Sequence, residues 1–136
     1  MTRALGIDLG DARVGVAATD DFGMLAHPVE TIQVRTGTVI GRILEIAKQK
    51  NTDVIVVGMP RNMDGSFGPA AQKAREFLEE LQAATSCRVV AWDERLTTVS
   101  AQRSLHEAGR NSRKQRQVID QVAAQILLQS WLDSQA

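Results

Sequence analysis

The sequence predicts an α/β domain: a mixed five-stranded sheet with helices on both faces. Three observations carry that prediction. Two short apolar runs of period two close over Gly10-Asp11 and are followed by a third, which is the pattern of an antiparallel three-strand meander. The periodicity then switches to a helical one from residue 38. Two later apolar runs, 53–58 and 88–92, are separated by a helical stretch, as parallel strands joined by a crossover require.

The elements follow in order. Residues 4–10, ALGIDLG, alternate Leu5, Ile7 and Leu9 with Ala4, Gly6 and Asp8. RVGVAATD, after Gly10-Asp11, alternates again through Val14 and Val16, so the pair predicts a hairpin. MLAHPVETI (24–32) follows a turn at Asp20-Asp21-Phe22-Gly23. Its Pro28 donates no ladder hydrogen bond, which assigns this strand to a sheet edge. Over 38–50, Val39, Ile43, Leu44, Ile46 and Ala47 share one helical face, and Lys48 and Lys50 complement the C-terminal dipole. DVIVVG (53–58) is a continuous β-branched run, suited to a strand covered on both faces.

MPRNMDGSFGP (59–69) reads as a loop. Residues 70–84 predict a helix that buries Ala74, Phe77, Leu78 and Leu81. Arg88–Trp92 predicts a strand that ends in Asp93-Glu94-Arg95. A helix over 98–108 is stopped by Gly109. RNSRKQRQ (110–117) reads as a basic link, and the last helix, roughly 117–134, sets Ile119, Val122, Ala123, Ile126, Leu127 and Trp131 on one side. The order is β-β-β-α-β-α-β-α-α, without internal repeats or an interdomain linker, so residues 1–136 are expected to form a single domain.

Composition narrows the function classes. A chain of 136 residues is one domain by length, and a domain of this size buries roughly 68% of its unfolded surface. Hydrophobic residues at 43% and charged residues at 24% exclude intrinsic disorder. Lys+Arg and Asp+Glu both number 16, which excludes a uniformly basic nucleic-acid glove and leaves room for a local basic patch. The single cysteine, Cys87, excludes an intrachain disulfide and a multi-cysteine zinc site. Asp8 interrupts the first apolar run, so no signal segment is expected. No run approaches the ~18 apolar residues of a membrane span. A soluble, cytoplasmic protein without a membrane partner is expected.

Three carboxylates stand out. Asp8 lies inside an apolar strand, where burial of an unpaired charge is costly. An edge position, a structural ion pair or a metal site would each explain it. Gly6, Gly10 and Gly15 clear bulk around it, which suits an approaching phosphate or a tight hairpin. Asp93-Glu94 sits where a strand ends, the usual place for sites in α/β sheets, although a turn explains it equally well. Asp120 precedes Ala123, Ala124 and Leu127, beside the apolar helix face. A favourable helix dipole explains it, and so does a carboxylate aimed at the sheet. Gathered together, three acids would repel one another and raise one another's pKa, and a hard divalent cation such as Mg²⁺ or Mn²⁺ relieves that.

GIDLGDARVGVA (6–17), VGMPRNMDGSFG (57–68), DERLTT (93–98) and IDQVAAQILLQSWLD (119–133) together resemble the YqgF (RuvX) family of pre-16S rRNA nucleases and Holliday junction resolvases. GIDLG alone would also resemble the phosphate-binding hairpin of actin-like ATPases. All four motifs in order, spanning residues 4 to about 133, are specific. The resemblance implies an RNase H-like fold. It also implies that Asp8, Glu94 and Asp120 are the catalytic, metal-binding acids.

Other residues carry dull and functional readings side by side. Arg13, Arg61 and Arg95 are candidates for phosphate contact, against solvation for Arg13 and a pair with Asp93 for Arg95. Arg110, Arg113, Lys114 and Arg116 form a stretch without acids that could position a nucleic-acid backbone, against a solvated connector. His27 and His106 lack spaced partners for metal ligation.

The leading expectation is therefore a metal-dependent endonuclease acting on structured nucleic acid, with precursor 16S rRNA favoured by the resemblance. A Holliday junction resolvase is the alternative within the same chemistry, and a non-catalytic ribosome- or nucleic-acid-binding module is the alternative outside it. A nucleotide-binding kinase would need a second such domain. A resolvase should be a homodimer, whereas an RNA processor can be a monomer.

Overall fold

The computed structural model describes residues 2–60, 68–93 and 113–135, with the backbone alone for Ala70 and residues 113–118. The described elements are β1 (Ala4–Leu9), β2 (Arg13–Thr19), β3 (Ala26–Gln33), a 3-10 turn at Val34–Thr36, α1 (Val39–Gln49), β4 (Val54–Met59), α2 (Pro69–Ala84), β5 (Arg88–Asp93) and α3 (Arg113–Ser134). The five strands form one sheet in the order β3-β2-β1-β4-β5. β1, β2 and β3 pair antiparallel, while β1, β4 and β5 run parallel. This is the mixed sheet that the alternating runs predict.

Local chemistry sets each piece. The β1–β2 turn closes with Gly10 N donating to the Arg13 carbonyl at 2.9 Å. A Cβ at Gly10 would lie 2.6 Å from that oxygen, so the tight-hairpin reading of this glycine is the one realised. β3 occupies the edge, as Pro28 requires. The ladder shifts between Val16 and Ala17, opposite Glu30 and Pro28, and leaves Val29 as the extra residue. All six residues of β4 are buried, which explains its unbroken apolar run.

The two faces of the sheet bury different side chains. On one, Leu5, Ile7, Val14, Val16, Ile55 and Val57 pack with Ile43 and Ile46 of α1 and Leu81 of α2. Fully burying each such side chain contributes about 1.5–3 kcal/mol. On the other, Ala4, Ala17, Ala26, Val54 and Val56 meet Ala124, Leu128 and Trp131 of α3. The sheet offers small side chains here, so α3 lies almost on the backbone. A Cβ at Gly6 would stand 2.7 Å from Leu128 Cβ and 2.9 Å from the Ala124 carbonyl.

The structure departs from the expected elements in α3. This helix starts at Arg113, so residues 113–117 belong to its first turns and not to a link. Lys, Arg and Gln favour helix, and no Gly or Pro interrupts them. Its buried face holds Ile119, Ala123, Leu127 and Trp131 as expected, joined by Ala124 and Leu128. The expected helix over 98–108, its stop at Gly109 and the interior of the 59–69 loop lie outside the described residues. No helix among the described residues is long and apolar enough to cross a membrane.

Candidate active site

Parallel β1, β4 and β5 bring their C-terminal ends to one edge of the sheet. Asp8 is the penultimate residue of β1 and pairs across the hairpin with Gly15. Side chains two apart along a strand share a face, so Asp8 shares the α3 side with Gly6. Continuing the Ile7–Val57 register by one residue sets Gly58 on its other flank, and Gly58 pairs in turn with Trp92. Asp8 therefore stands between two glycines. It is 2% exposed, and its Oδ1 is wholly buried.

α3 brings the second acid. A Cβ at Gly15 would collide with the backbone carbonyl of Asp120. Asp120 thus sits directly over the residue that pairs with Asp8, and it is 7% exposed. The side chains of Ala123 and Ala124 permit that approach. Room around Asp8 that suits a phosphate is occupied at Gly6 and Gly15 by this helix. Further hydrogen bonds fix its placement. Gln121 Nε2 donates to Thr31 Oγ1 at 3.2 Å, and Trp92 Nε1 donates to Ser130 Oγ at 3.3 Å.

Arg13, the first residue of β2, lies on the same side. Its Nε donates to Asp120 Oδ2 at 2.6 Å. The contact is a charge-assisted bond between a largely buried carboxylate and a guanidinium with 23% of its side chain exposed. Sequence reasoning assigns Arg13 to phosphate or solvent and does not anticipate this distant partner. The available signal is strand alternation, which sets Arg13 on one face with Gly15.

The remaining candidates divide by position. Glu94 and Arg95 lie outside the described residues, immediately after β5, whose C-terminal end shares the edge with Asp8. Arg61 and Arg110 also lie outside. Arg113, Lys114 and Arg116 are in the first turns of α3, within two turns of Asp120 and on the same end of the helix. Among the described residues no three carboxylate, imidazole or thiol groups gather as a metal site. His27 is exposed on the edge strand, and Cys87 Sγ donates to the Thr52 carbonyl at 3.2 Å.

Known proteins resemble this chain in sequence and in fold. A family model described as RuvX, Holliday junction resolvase, matches residues 2–134. A relative from Pelotomaculum thermopropionicum, curated as "Putative pre-16S rRNA nuclease", is 46% identical over 98% of this chain and 88% of its own length. One from Bacillus mycoides with the same name is 44% identical over 97% of this chain and 98% of its own length. Among solved structures, Thermus thermophilus RuvC in complex with a Holliday junction substrate superposes with a TM-score of 0.62 at 14% identity, covering 99% of this chain and 96% of that one. The yeast mitochondrial Holliday junction resolvase superposes with a TM-score of 0.54 at 11% identity, covering 96% and 78%. At such identities these two establish the fold, the RNase H-like fold of the resolvases. The full-length family match and the two curated relatives establish more: this chain belongs to the RuvX family of nucleases.

Proposed function

We propose that this protein is a divalent-metal-dependent endonuclease that hydrolyses phosphodiesters in structured RNA, processing the 5′ end of precursor 16S ribosomal RNA in the cytoplasm. The observation that supports the reading is that α3 lays Asp120 over Gly15, the residue paired with Asp8, on one side of the sheet and toward the end where the parallel strands finish. Glu94, the residue after β5, is the third acid of the proposed set.

The donor set fits a hard cation. It consists of carboxylate oxygens, one of them wholly buried, in a strand position where the paired residue, Gly15, leaves room for α3 to bring Asp120 over the sheet. Asp8, Asp120 and Glu94 would hold Mg²⁺ or Mn²⁺. When bound, such a metal neutralises charge at the reacting phosphate and polarises its oxygens. At its depth Asp8 can meet a small cation but not a polymer.

Arg13 has a divided role in this reading. Its Nε orients Asp120, while the rest of its partly exposed guanidinium is a fork suited to phosphate oxygens. Arg113, Lys114 and Arg116, with Arg110, Arg61 and Arg95, supply backbone contacts that position the substrate without reading its sequence. In the net reaction a water oxygen bonds to phosphorus and the P–O3′ bond breaks. The products are a 5′-phosphate and a 3′-hydroxyl.

A second reading, resolution of branched DNA, is favoured by the description of the matching family model. Cleavage assays with Mg²⁺ or Mn²⁺ on a precursor 16S rRNA fragment and on a four-way DNA junction separate the two. The proposal predicts cleavage of the RNA at its 5′ extension by a monomer. Paired nicks in the junction made by a homodimer, with the RNA left intact, would establish the second reading. Binding of either without cleavage would make the protein a non-catalytic module.

A further inference from the structure

Arg13 is related to both acids, not to Asp120 alone. It stands two residues before Gly15 on β2, and Gly15 pairs with Asp8. Arg13 is therefore the diagonal neighbour of Asp8 on the α3 side of the sheet. Diagonal neighbours in an antiparallel pair lie about 7–8 Å apart, within reach of a long side chain. α3 lays Asp120 over Gly15. The hairpin and α3 thus set one guanidinium and two carboxylates on the same side of the same two strands.

Both acids are deep. Asp8 is 2% exposed and Asp120 is 7% exposed. A carboxylate at such depth is costly unless a positive charge or a set of donors meets it. Arg13 supplies a permanently charged donor to Asp120, Nε to Oδ2 at 2.6 Å. A divalent cation drawn to the same acids would balance the same charge. Two positive charges beside one buried carboxylate repel each other, and at this depth salt and water screen that repulsion weakly. Each therefore lowers the affinity of the other for Asp120.

Arg13 is the partner placed to give way. Its side chain is 23% exposed, against 9% for that of Asp120. A long flexible stem lets its head turn into solvent. Asp120 has no such freedom, because its own backbone carbonyl lies against Gly15.

We propose that Arg13 and a divalent cation compete for Asp120: the guanidinium balances this carboxylate until a cation binds, and is then displaced toward solvent, where it meets a substrate phosphate. The inference rests on the catalytic reading of Asp8 and Asp120. It makes the order of loading a property of the chain, with the cation before the phosphate. By linkage, the cation weakens the Arg13–Asp120 bond by the factor by which Arg13 weakens cation binding.

The test is calorimetric titration of Mg²⁺ into the full chain as wild type, Arg13→Gln, Arg13→Lys, Lys73→Gln and Asp8→Asn. Glutamine can still donate to Asp120 but has no charge, so it removes the competition and keeps a neutral tie. Arg13→Gln should bind Mg²⁺ about fivefold or more tightly than wild type. Arg13→Lys retains the charge and should stay close to wild type. So should Lys73→Gln, which removes an exposed cation 3.7 Å from Asp11 at the hairpin tip. Whatever its starting stability, Arg13→Gln should gain more in melting temperature from Mg²⁺ than wild type does. In ¹⁵N spectra of wild type, the Arg13 Nε–H resonance should move and exchange faster with solvent as Mg²⁺ saturates. Equal or weaker Mg²⁺ binding by Arg13→Gln would overturn the proposal and leave Arg13 an orienting residue only. An unmoved Nε–H resonance at saturation would overturn it too, and so would a Lys73→Gln effect as large as that of Arg13→Gln. In each of those cases, Mg²⁺ binding that Asp8→Asn abolishes keeps the catalytic reading standing. Mg²⁺ binding that Asp8→Asn leaves unchanged would overturn that reading, and this inference with it.

Discussion

Arg13 Nε lies 2.6 Å from Asp120 Oδ2 and joins the first residue of β2 to the buried face of α3. The same hairpin carries Asp8, which pairs with Gly15 across the turn closed by Gly10 and Arg13. One local element thus places one acid directly and grips the other from a distant part of the chain. The geometry of the proposed site depends on this tie and on the two glycines beneath α3.

Arg13→Gln should lower stability by about 1.5–3 kcal/mol, the worth of a hydrogen bond to a charged group. Asp120→Asn should cost a similar amount. In urea denaturation the double variant should be less destabilised than the sum of the singles, with a coupling of about 0.5–3 kcal/mol. Strict additivity would show that the pair contributes nothing.

Gly15→Ala should lower stability by about 1–3 kcal/mol through overpacking against α3, and it should reduce nuclease activity further by displacing Asp120. Gly41 is the contrasting position. It lies in α1 with open space around it, so Gly41→Ala should raise stability by about 0.5–1 kcal/mol. Parallel denaturant titrations of the two variants check both signs.

The Arg42 guanidinium grips Glu30, with Nη2 to Oε1 at 2.7 Å and Nε to Oε2 at 2.9 Å. This hydrogen bonding holds the Glu30 carboxyl below its ordinary value of 4.5. A depressed carboxylate pKa stabilises the fold above the unfolded-state value and loses that contribution as pH falls through the folded one. The melting temperature should therefore decline below about pH 4.5. The decline should be shallower in Glu30→Gln, which has no such charge to lose. Melts of both proteins across this range decide it, and identical profiles would count against the pair.

Most of the fold is legible in the sequence because its signals are local. Alternation marks β1 and β2, Pro28 marks the edge, and the run at 53–58 marks a strand covered on both faces. Helical spacing names Ile43, Ile46, Ala74 and Leu81 as core. The start of α3 is not legible in the same way, because a basic stretch without apolar residues looks like a link although its helix propensity is high. Nor is the Arg13–Asp120 pair, since no periodicity connects residues 107 positions apart. The glycines at 6 and 15 announce the space they create, but only packing shows that a helix fills it.

Replacing Arg110, Arg113, Lys114 and Arg116 together with Ala should weaken RNA binding and flatten its salt dependence. The slope of log K against log salt should fall by about 0.7–0.9 for each phosphate that the variant no longer neutralises. Binding that is unchanged across a salt series would make these four residues a solvated basic stretch and nothing more.

The central claim is that Asp8 is a metal-binding catalytic acid, and Asp8→Asn tests it most directly, by thermal melts with and without Mg²⁺ beside cleavage of the precursor rRNA. Without metal the variant should melt at or above the wild-type temperature, because repulsion among the acids is relieved. Mg²⁺ at a hundredfold excess over its Kd should stabilise wild type by about 2.7 kcal/mol and the variant by much less. Cleavage by the variant should fall by orders of magnitude. A variant that melts early without metal, gains as much from Mg²⁺ as wild type, and cleaves normally below its melting temperature would contradict the claim and leave Asp8 a structural carboxylate.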